Sequence, residues 1–394
     1  VQNDSNKTTL TKVQRANSKS QFENLGGTAQ YVSLTTDTKT DATYSIPIQV
    51  KVVNNVLYWY SADPHPYAPT SMDSLFNGCT SLATVDENGI ESWDTSKTTD
   101  MNSMFYNCNA LTSAKFLNWD TSSVKRFNHM FCISNGIQKL TTVQLTINTS
   151  GKSVPMNSMF YVYSSTLIDN NCTSEYSLIN VTIRGDFSGV SNAESMFQWK
   201  PQAFKNPETD KDYNLVSINY NNLENLNLQH ISKTEDEDSR TSTETVSDEN
   251  KTRAFSKCSN FKNMFNNCPT EDFSHTGLEN WDTANITDFS NMFEACKISG
   301  KFDLSKWDTK SSTAFNHMFH KAKNIKQLTL TINTSGKNNV AMNSMFYCWG
   351  TGTSPSSLES VTINGDFSGV STTGSMFYDC TVLESVTLNH VSMA

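Results

Sequence analysis

The apolar residues of this chain recur in a two-part pattern, and each part has its own period. The first part places apolar residues two apart, as in Val361 and Ile363. Because side chains two apart lie on one face of a strand, this part predicts a short strand with one buried face. The second part places apolar residues three or four apart, as in Phe127 and Met130. That spacing predicts one or two helical turns.

A Met-Phe pair, with Leu in place of Met in one copy, marks ten repeats of this pattern. The two halves of the chain match at offsets of 180 to 189 residues, so five repeats are followed by five more. A single repeat cannot bury its apolar face, and we therefore expect Met and Phe to be interior residues covered by neighbouring repeats. The ten pairs end at Phe76, Phe105, Phe131, Phe160, Phe197, Phe265, Phe293, Phe319, Phe346 and Phe377.

Strand, corner and helical turn together predict an α/β solenoid. We expect a right-handed, leucine-rich-repeat-like coil of about ten units, with parallel strands on one face and short helical turns on the other. The corners have the sequence Trp-Asp-Thr or Gly-Asp-Phe-Ser-Gly. Their Asp and Thr are expected to cap the turns, since short polar side chains satisfy backbone groups at tight corners.

The repeats divide the chain into five predicted segments. The first is a flexible polar lead-in or stalk, and the second is a hairpin cap around Asn54 and Asn55, a common hairpin turn pair. An acidic insertion that lacks apolar periodicity separates the two arrays and predicts a solvated loop. The segments are 1–43 (lead-in), 44–70 (cap), 71–232 (first five-unit array), 233–254 (insertion) and 255–394 (second five-unit array).

Composition and charge narrow the classes of partner. The 394 residues carry a formal net charge of −9, and this acidity argues against a nucleic-acid partner. No apolar run reaches the roughly 20 residues of a membrane span, so the chain is not expected to span a membrane. The sequence opens on a polar stretch, and we expect any export signal or surface anchor to be a segment that was removed or is absent from this sequence.

Neither the cysteines nor the histidines predict catalytic chemistry. Several of the nine Cys residues follow the Phe of a repeat by three positions, which favours buried packing thiols and leaves disulfide pairing open. Four of the seven His residues are repeat copies, and none of the seven belongs to a nucleophile-base pattern. No motif for a metal, a cofactor or a phosphate is present. We therefore expect no catalytic, cofactor-binding or metal-binding residues, and no enzyme activity.

A row of Thr residues is the candidate ligand-facing surface. Each Thr lies in the polar position beside the inward-facing apolar residues of a strand, so stacked strands would present a ladder to a glycan or a peptide. The simpler interpretation is that Thr suits exposed strand positions. The ladder residues are Thr146, Thr182, Thr331, Thr362 and Thr387.

The stretch MNSMFYNCNALTSAKFLNWDTSSVKRFNHMF, residues 101–131, resembles the BspA-like leucine-rich-repeat surface proteins, whose units follow MFxxCxxLxxLdlSnwDTSnVtxMxxMF. Residues 54–82 resemble the segment that precedes the repeats in that family. The resemblance covers residues 44–394 and implies an exported, surface-attached bacterial protein that adheres to host proteins, matrix proteins or other cells. The Gly-Asp-Phe-Ser-Gly corners and the acidic insertion depart from the family pattern, and the resemblance locates no binding residue.

We therefore expect an extracellular adhesion or binding module at the bacterial cell surface. Its partner would be a protein or a glycan, recognised through the strand face of the coil. One alternative is a structural subunit that assembles end to end into surface filaments. The other is a glycan-active enzyme, which predicts that a cleft on the strand face gathers carboxylates present in only one of the two arrays.

Overall fold

The structure of the chain is a computed structural model that divides into two compact units. The first unit is Val1–Asn148 with Val162–Ile183 and Pro201–Tyr220, and the second is Thr149–Tyr161 with Arg184–Lys200 and Asn221–Ala394. The acidic insertion expected at 233–254 lies outside the described residues, apart from Ala254. The structure describes residues 7–31, 48–86, 89–134, 139–164, 178, 180–201, 225–230, 254–322, 324–348 and 357–390.

The first unit begins with a small sheet and one short helix. The elements are β1 (Lys12–Arg15), α1 (Lys19–Asn24), β2 (Gln30–Tyr31), β3 (Gln49–Val53) and β4 (Val56–Tyr60), and the strand order is β1-β4-β3-β2. The antiparallel pair β3 and β4 is the predicted hairpin, which is confirmed. Asn54 and Asn55 form its turn with φ of 50° and 65°, a left-handed conformation that Asn tolerates better than most residues.

The lead-in expected to be flexible contributes a strand to this sheet. β1 pairs in parallel with β4, and Lys12 also forms a parallel bridge with Thr84 in the first repeat. Val13 and Ala16 are buried beneath it. The segment is predominantly polar, and only isolated apolar residues, which also include the buried Leu10 and Phe22, indicated that it is anchored to the core.

The repeats contribute short strands that are mostly paired in parallel. In the first unit β5 pairs with β6, and β9 is the next strand beside β6. In the second unit a sheet has the order β13-β14-β16-β18, and every neighbouring pair is parallel. The strands are β5 (Ser113–Phe116), β6 (Thr142–Thr146), β7 (Val154–Pro155), β8 (Val162–Ser164), β9 (Asn180–Gly185), β10 (Val190–Asn192), β11 (Trp199–Pro201), β12 (Asn225–His230), β13 (Ser299–Leu304), β14 (Asn324–Thr331), β15 (Val340–Ala341), β16 (Ser360–Gly365), β17 (Val370–Thr372) and β18 (Ser385–His390).

The prediction of an α/β solenoid with helical turns on one face is wrong. Among the described residues the only α-helix is α1, and the 3-10 helices at Lys7–Thr9 and Leu278–Asn280 have three residues each. The Met-Phe segments are tight turns whose backbone groups bond to the next repeat. In the second unit, for example, Phe293 N–H donates to Met318 O at 2.8 Å. The described structure is therefore mainly strands and turns, with several small parallel sheets.

A left-handed residue in every Met-Phe segment explains why no helix forms there. The residue two positions before the Phe has φ between 52° and 58° in all ten copies, and a right-handed helix requires φ near −63°. The apolar spacing of three to four thus arises from a turn of different geometry. The left-handed residues are Ser74, Ser103, His129, Ser158, Ser195, Asn263, Asn291, His317, Ser344 and Ser375.

The Met-Phe pairs fill the core, as predicted. Phe76 and Phe105 in the first unit, and Phe265 and Phe293 in the second, are at most 1% exposed. Successive Phe rings stack in register, with centroids 5.6 Å apart for both of these pairs. Phe105 and Phe293 therefore pack between the Phe rings of the repeats before and after them, which explains why the side chain recurs unchanged.

The Trp-Asp-Thr corners bond to the neighbouring repeat, which confirms the predicted structural role of Asp and Thr. Asp94 Oδ1 accepts a hydrogen bond from Ser96 N–H at 2.9 Å and closes its own turn. Thr95 Oγ1 donates to Asp120 O of the next repeat at 2.8 Å. In the second unit Thr283 makes the same bond to Asp308 O at 2.9 Å.

Candidate functional site

The outer face of the sheet in the second unit is polar and in register. Residues of four parallel strands align as Asp303, Thr329, Thr362 and Thr387. The next row joins Asn364 to Asn389, whose Nδ2 donates to Asn364 Oδ1 at 2.8 Å. We call this surface the sheet face. Its polar side chains alternate with the buried apolar row that includes Val361 and Ile363.

The five predicted ladder residues do not form one ladder. Thr362 and Thr387 are direct partners in the sheet face, whereas Thr331 pairs with Asn364 and belongs to another row. Thr331 Oγ1 donates to Ser305 O at 2.6 Å. Its counterpart in the first unit, Thr146, donates to Leu117 O at the same distance. These two hydroxyls join neighbouring repeats instead of facing a ligand.

Thr182 lies in the first unit, in β9, and is half-buried. The sequence pattern missed Thr329, which aligns with Thr362 in the sheet face. The stretch LTLTIN in the second array contains Thr at two alternate positions, and only the pairing register shows which of the two continues the row.

A cleft of about 660 Å³ lies beside β13 in the second unit. Its apolar lining includes the buried Phe273 and Leu304 and the half-buried Phe302. Exposed charged residues line it as well: Glu271, Asp272, Glu279, Lys301, Asp303 and Lys306. Its volume falls within the range of ligand-binding clefts.

The cleft forms because the segment before β13 does not become a strand. This segment lies between β12 and β13, since Leu228 N–H donates to His275 O and Ser299 N–H donates to Glu271 O, at 3.1 and 3.3 Å. Among the described strands, β13 pairs with β14 alone. Its other edge therefore borders the cleft. The missing strand could not be predicted, because the pattern of apolar residues in EDFSHTGL is too irregular to exclude a strand or to predict one.

The two aspartates of the cleft are stabilised as carboxylates. The backbone N–H and the hydroxyl of Ser274 lower the pKa of Asp272, and Asp272 Oδ1 accepts that N–H at 2.8 Å. The hydroxyl and the backbone N–H of Ser305 lower the pKa of Asp303 in the same way, with an N–H bond of 2.9 Å. Both side chains are thus suited to binding a cation and poorly suited to donating a proton.

The histidines and cysteines occupy structural positions. His129 and His317 are left-handed turn residues, and burial lowers the pKa of both imidazoles. Cys79 and Cys108, which follow the Phe of a repeat by three positions, are buried thiols, in agreement with the predicted packing role. Burial raises the pKa of the Cys132 and Cys258 thiols to about 12. Cys348 and Cys380 form a disulfide that the sequence left open. Within the described residues no group of three or more His, Cys, Asp or Glu side chains is arranged to hold a metal ion.

Comparison with known proteins places the chain in a family. A family model described as "Mycoplasma protein of unknown function, DUF285" matches residues 70–209 and 239–358. The chain belongs to this family. The first DUF285 segment starts at the predicted first array, and the second includes part of the acidic insertion and most of the second array. No curated protein and no solved structure matches the chain.

Proposed function

We propose that this DUF285 chain is an extracellular adhesion or binding module at the bacterial cell surface. It recognises a host protein, a matrix protein or a glycan through the sheet face. The observation that supports this function is the in-register row of Thr329, Thr362 and Thr387 on parallel strands. Regularly spaced hydroxyls on a rigid sheet suit the hydrogen-bonding groups of an extended ligand. The likeness to BspA-like surface proteins supports the proposed location.

One structural finding bears on the relation of the chain to a membrane. No helix among the residues that the structure describes has the length and apolar character needed to cross a lipid bilayer. The acidic net charge of −9 supports the proposal that nucleic acid is not the partner.

Arrays of glycans and matrix proteins test the proposed function. We expect the double variant Thr362→Lys with Thr387→Lys to lose at least about tenfold in affinity for any ligand detected, because two long cations would cover the hydroxyl row. Thr373→Lys is the matched control, since Thr373 is exposed but lies outside this sheet. The proposal fails if nothing on the arrays binds, or if the double variant and the control bind equally well.

End-to-end self-association is a second candidate function, and β18 and the turn before it favour it. Tyr378, Val386 and Leu388 are 55%, 42% and 58% exposed. The partners of Val386 and Leu388 in β16 are Val361 and Ile363, which are each 1% exposed. The last repeat therefore exposes a face that the repeat before it buries. Electron microscopy and light scattering should detect filaments that Leu388→Lys removes and Thr313→Lys preserves, since Thr313 is exposed but lies in an earlier repeat. Monomers at every concentration would exclude this function.

The alternative of a glycan-active enzyme also has an observation in its favour, because the cleft gathers several carboxylates. A glycosidase requires one carboxylic acid whose pKa is raised so that it can protonate the leaving group. Asp272 and Asp303 have lowered pKa values instead. We therefore propose a binding role for the cleft, and release of nitrophenol from nitrophenyl glycosides by the purified chain would contradict this choice.

A further inference from the structure

The free edges of β5 in the first array and β13 in the second array make different hydrogen bonds. In the first array Asp86 closes the edge of β5: its carboxylate accepts the Lys115 backbone N–H at 3.0 Å and the Ser113 hydroxyl at 2.9 Å. With the offset of 188 that relates Trp93 to Trp281, the residue equivalent to Asp86 in the second array is Ser274. Ser274 has no carboxylate to close the edge, and its backbone N–H donates to Asp272 Oδ1 at 2.8 Å.

The edge of β13 is consequently open. Asp303 is equivalent to Lys115, and among the described residues no side chain accepts its backbone N–H. Strand alternation directs the N–H groups of Ser299, Lys301 and Asp303 to one side, and Ser299 N–H already points to the segment before β13. The register shift in this pair leaves the extra residue, Lys326, on β14, so the alternation along β13 is intact.

We propose that the cleft binds an extended peptide with alternating apolar and basic residues, which adds as a strand to the open edge of β13. Strand addition satisfies unpaired edge groups and places alternate side chains of the peptide on opposite faces. One set of peptide side chains would contact the half-buried Phe302 and the buried Phe273. The other set would reach the exposed charged residues that line the cleft, which we call the rim. Because Ser299 N–H is already bonded, the open part of β13 runs from Gly300 to Leu304 and offers an edge of about 15 Å, enough for a strand of about four residues.

The rim charge selects basic side chains. Four carboxylates and two ammonium groups line the cleft. Lys306 is also held by Asn280, whose Oδ1 accepts from Nζ at 3.3 Å. Three of the carboxylates have no acidic equivalent in the first array, where the positions of Glu271, Asp272 and Asp303 are occupied by Ala83, Thr84 and Lys115. The acidic cleft is thus a property of the second array.

Fluorescence anisotropy with short labelled peptides tests the inference. We expect TVKVKVT to bind saturably to the full chain. TVEVEVT, and a TVKVKVT with alternate backbone nitrogens methylated, should each bind at least about tenfold more weakly, because they lose the charge match and the strand hydrogen bonds respectively. Equal binding of the glutamate peptide, equal binding of the methylated peptide, or absence of binding by TVKVKVT would overturn the inference.

Replacing Ser274 separates strand addition from simple charge attraction. Ser274→Asp introduces the residue that closes the edge in the first array, and it also adds a negative charge. Strand addition predicts about tenfold weaker binding of TVKVKVT, whereas charge attraction alone predicts tighter binding. Ser274→Ala is the control and should bind within about twofold of the unmodified chain. Unchanged or tighter binding by Ser274→Asp, with an unchanged melting temperature, would contradict strand addition.

The cleft and the sheet face share one residue, Asp303, and both proposals treat the chain as a binding module. The double variant Thr362→Lys with Thr387→Lys should keep peptide binding within about twofold while it loses ligands of the sheet face. Loss of array ligands with retained peptide binding supports both proposals. If the double variant still binds the array ligands, the proposal that the sheet face binds them is wrong, and the cleft proposal is unaffected. If the double variant loses peptide binding, the cleft is not a separate binding site.

Discussion

The indole of Trp307 donates through Nε1 to Leu278 O at 2.9 Å, joining residues 29 positions apart in the chain. The equivalent Trp93 is also buried, yet its Nε1 has no hydrogen-bond partner among the described residues. Trp93 and Trp307 occupy the same position of two repeats and are both buried, but only Trp307 makes an indole hydrogen bond. The contribution of this bond to stability can therefore be measured.

Trp307→Phe should destabilise the chain more than Trp93→Phe. Both changes reduce buried aromatic area, but only the first also removes a hydrogen bond. Leu278 O then keeps only its bond from Trp281 N–H at 3.3 Å, and the lost bond should cost about 0.5 to 1.5 kcal/mol. Chemical denaturation of the two variants checks this difference. Equal losses of unfolding free energy would show that the Trp307 hydrogen bond contributes nothing to stability.

Replacement of a left-handed turn residue by glycine should stabilise the chain, whereas glycine usually destabilises other positions. Ser344 has φ of 53°, where a non-glycine residue costs about 1 to 2 kcal/mol and a β-branched residue costs more. Ser344→Gly should raise the unfolding free energy slightly, and Ser344→Val should lower it by about 2 kcal/mol. Thr373, which is exposed and does not have positive φ, is the control. Glycine there should destabilise, and stabilisation at both sites would contradict a conformational origin.

The stacked Phe ring at position 293 should be more costly to remove than the one at position 377. Phe293 is buried between Phe265 and Phe319, with centroid distances of 5.6 and 5.3 Å. Phe293→Ala should cost about 3 to 5 kcal/mol. Phe377 is half-buried and stacks on Phe346 at 5.1 Å, so Phe377→Ala should cost less. Thermal denaturation of both variants measures the difference, and equal costs would argue against stacking across repeats as the main source of core stability.

His129 should make the chain less stable in mild acid. Burial lowers the pKa of its imidazole below the ordinary 6.5, so the unfolded chain binds the proton more readily. Its contribution to stability is complete above pH 6.5 and is lost as the pH falls through the window between 6.5 and the lowered value. His129→Asn retains a side chain found in the same turn position at Asn263 and should flatten the stability profile between pH 7 and 5. An unchanged slope would exclude this titration.

The repeating parts of the fold could be predicted because identical residues make the same contacts in each repeat. Phe recurs where rings stack, and Thr recurs where a hydroxyl bonds to the next repeat. The helical turns were mispredicted because spacing alone cannot distinguish a helix from a turn with a left-handed residue. A usable signal was present: the position two before each Phe is always Ser, Asn or His, residues whose polar side chains suit turns.

The candidate sites were harder to predict because they depend on departures from the repeat. Prediction of the sheet face would have required the pairing register of the strands, because only the register places Thr329 rather than Thr331 beside Thr362. The open edge of the cleft depends on Ser274 replacing the carboxylate of Asp86, and its acidity depends on further differences such as Asp303 in place of Lys115. Sequence patterns identify what is shared by the copies, whereas the cleft arises where they differ.

The recurring bond from a Phe N–H to the Met carbonyl of the following repeat has a consequence for how such chains change length. In the second unit Phe265, Phe293 and Phe319 all donate to the next Met in this way. Excision or duplication of one complete repeat would bring the same donor opposite the same acceptor and the same ring onto the same ring. Gene rearrangement can therefore vary the number of repeats without requiring any compensating substitution at the new junction.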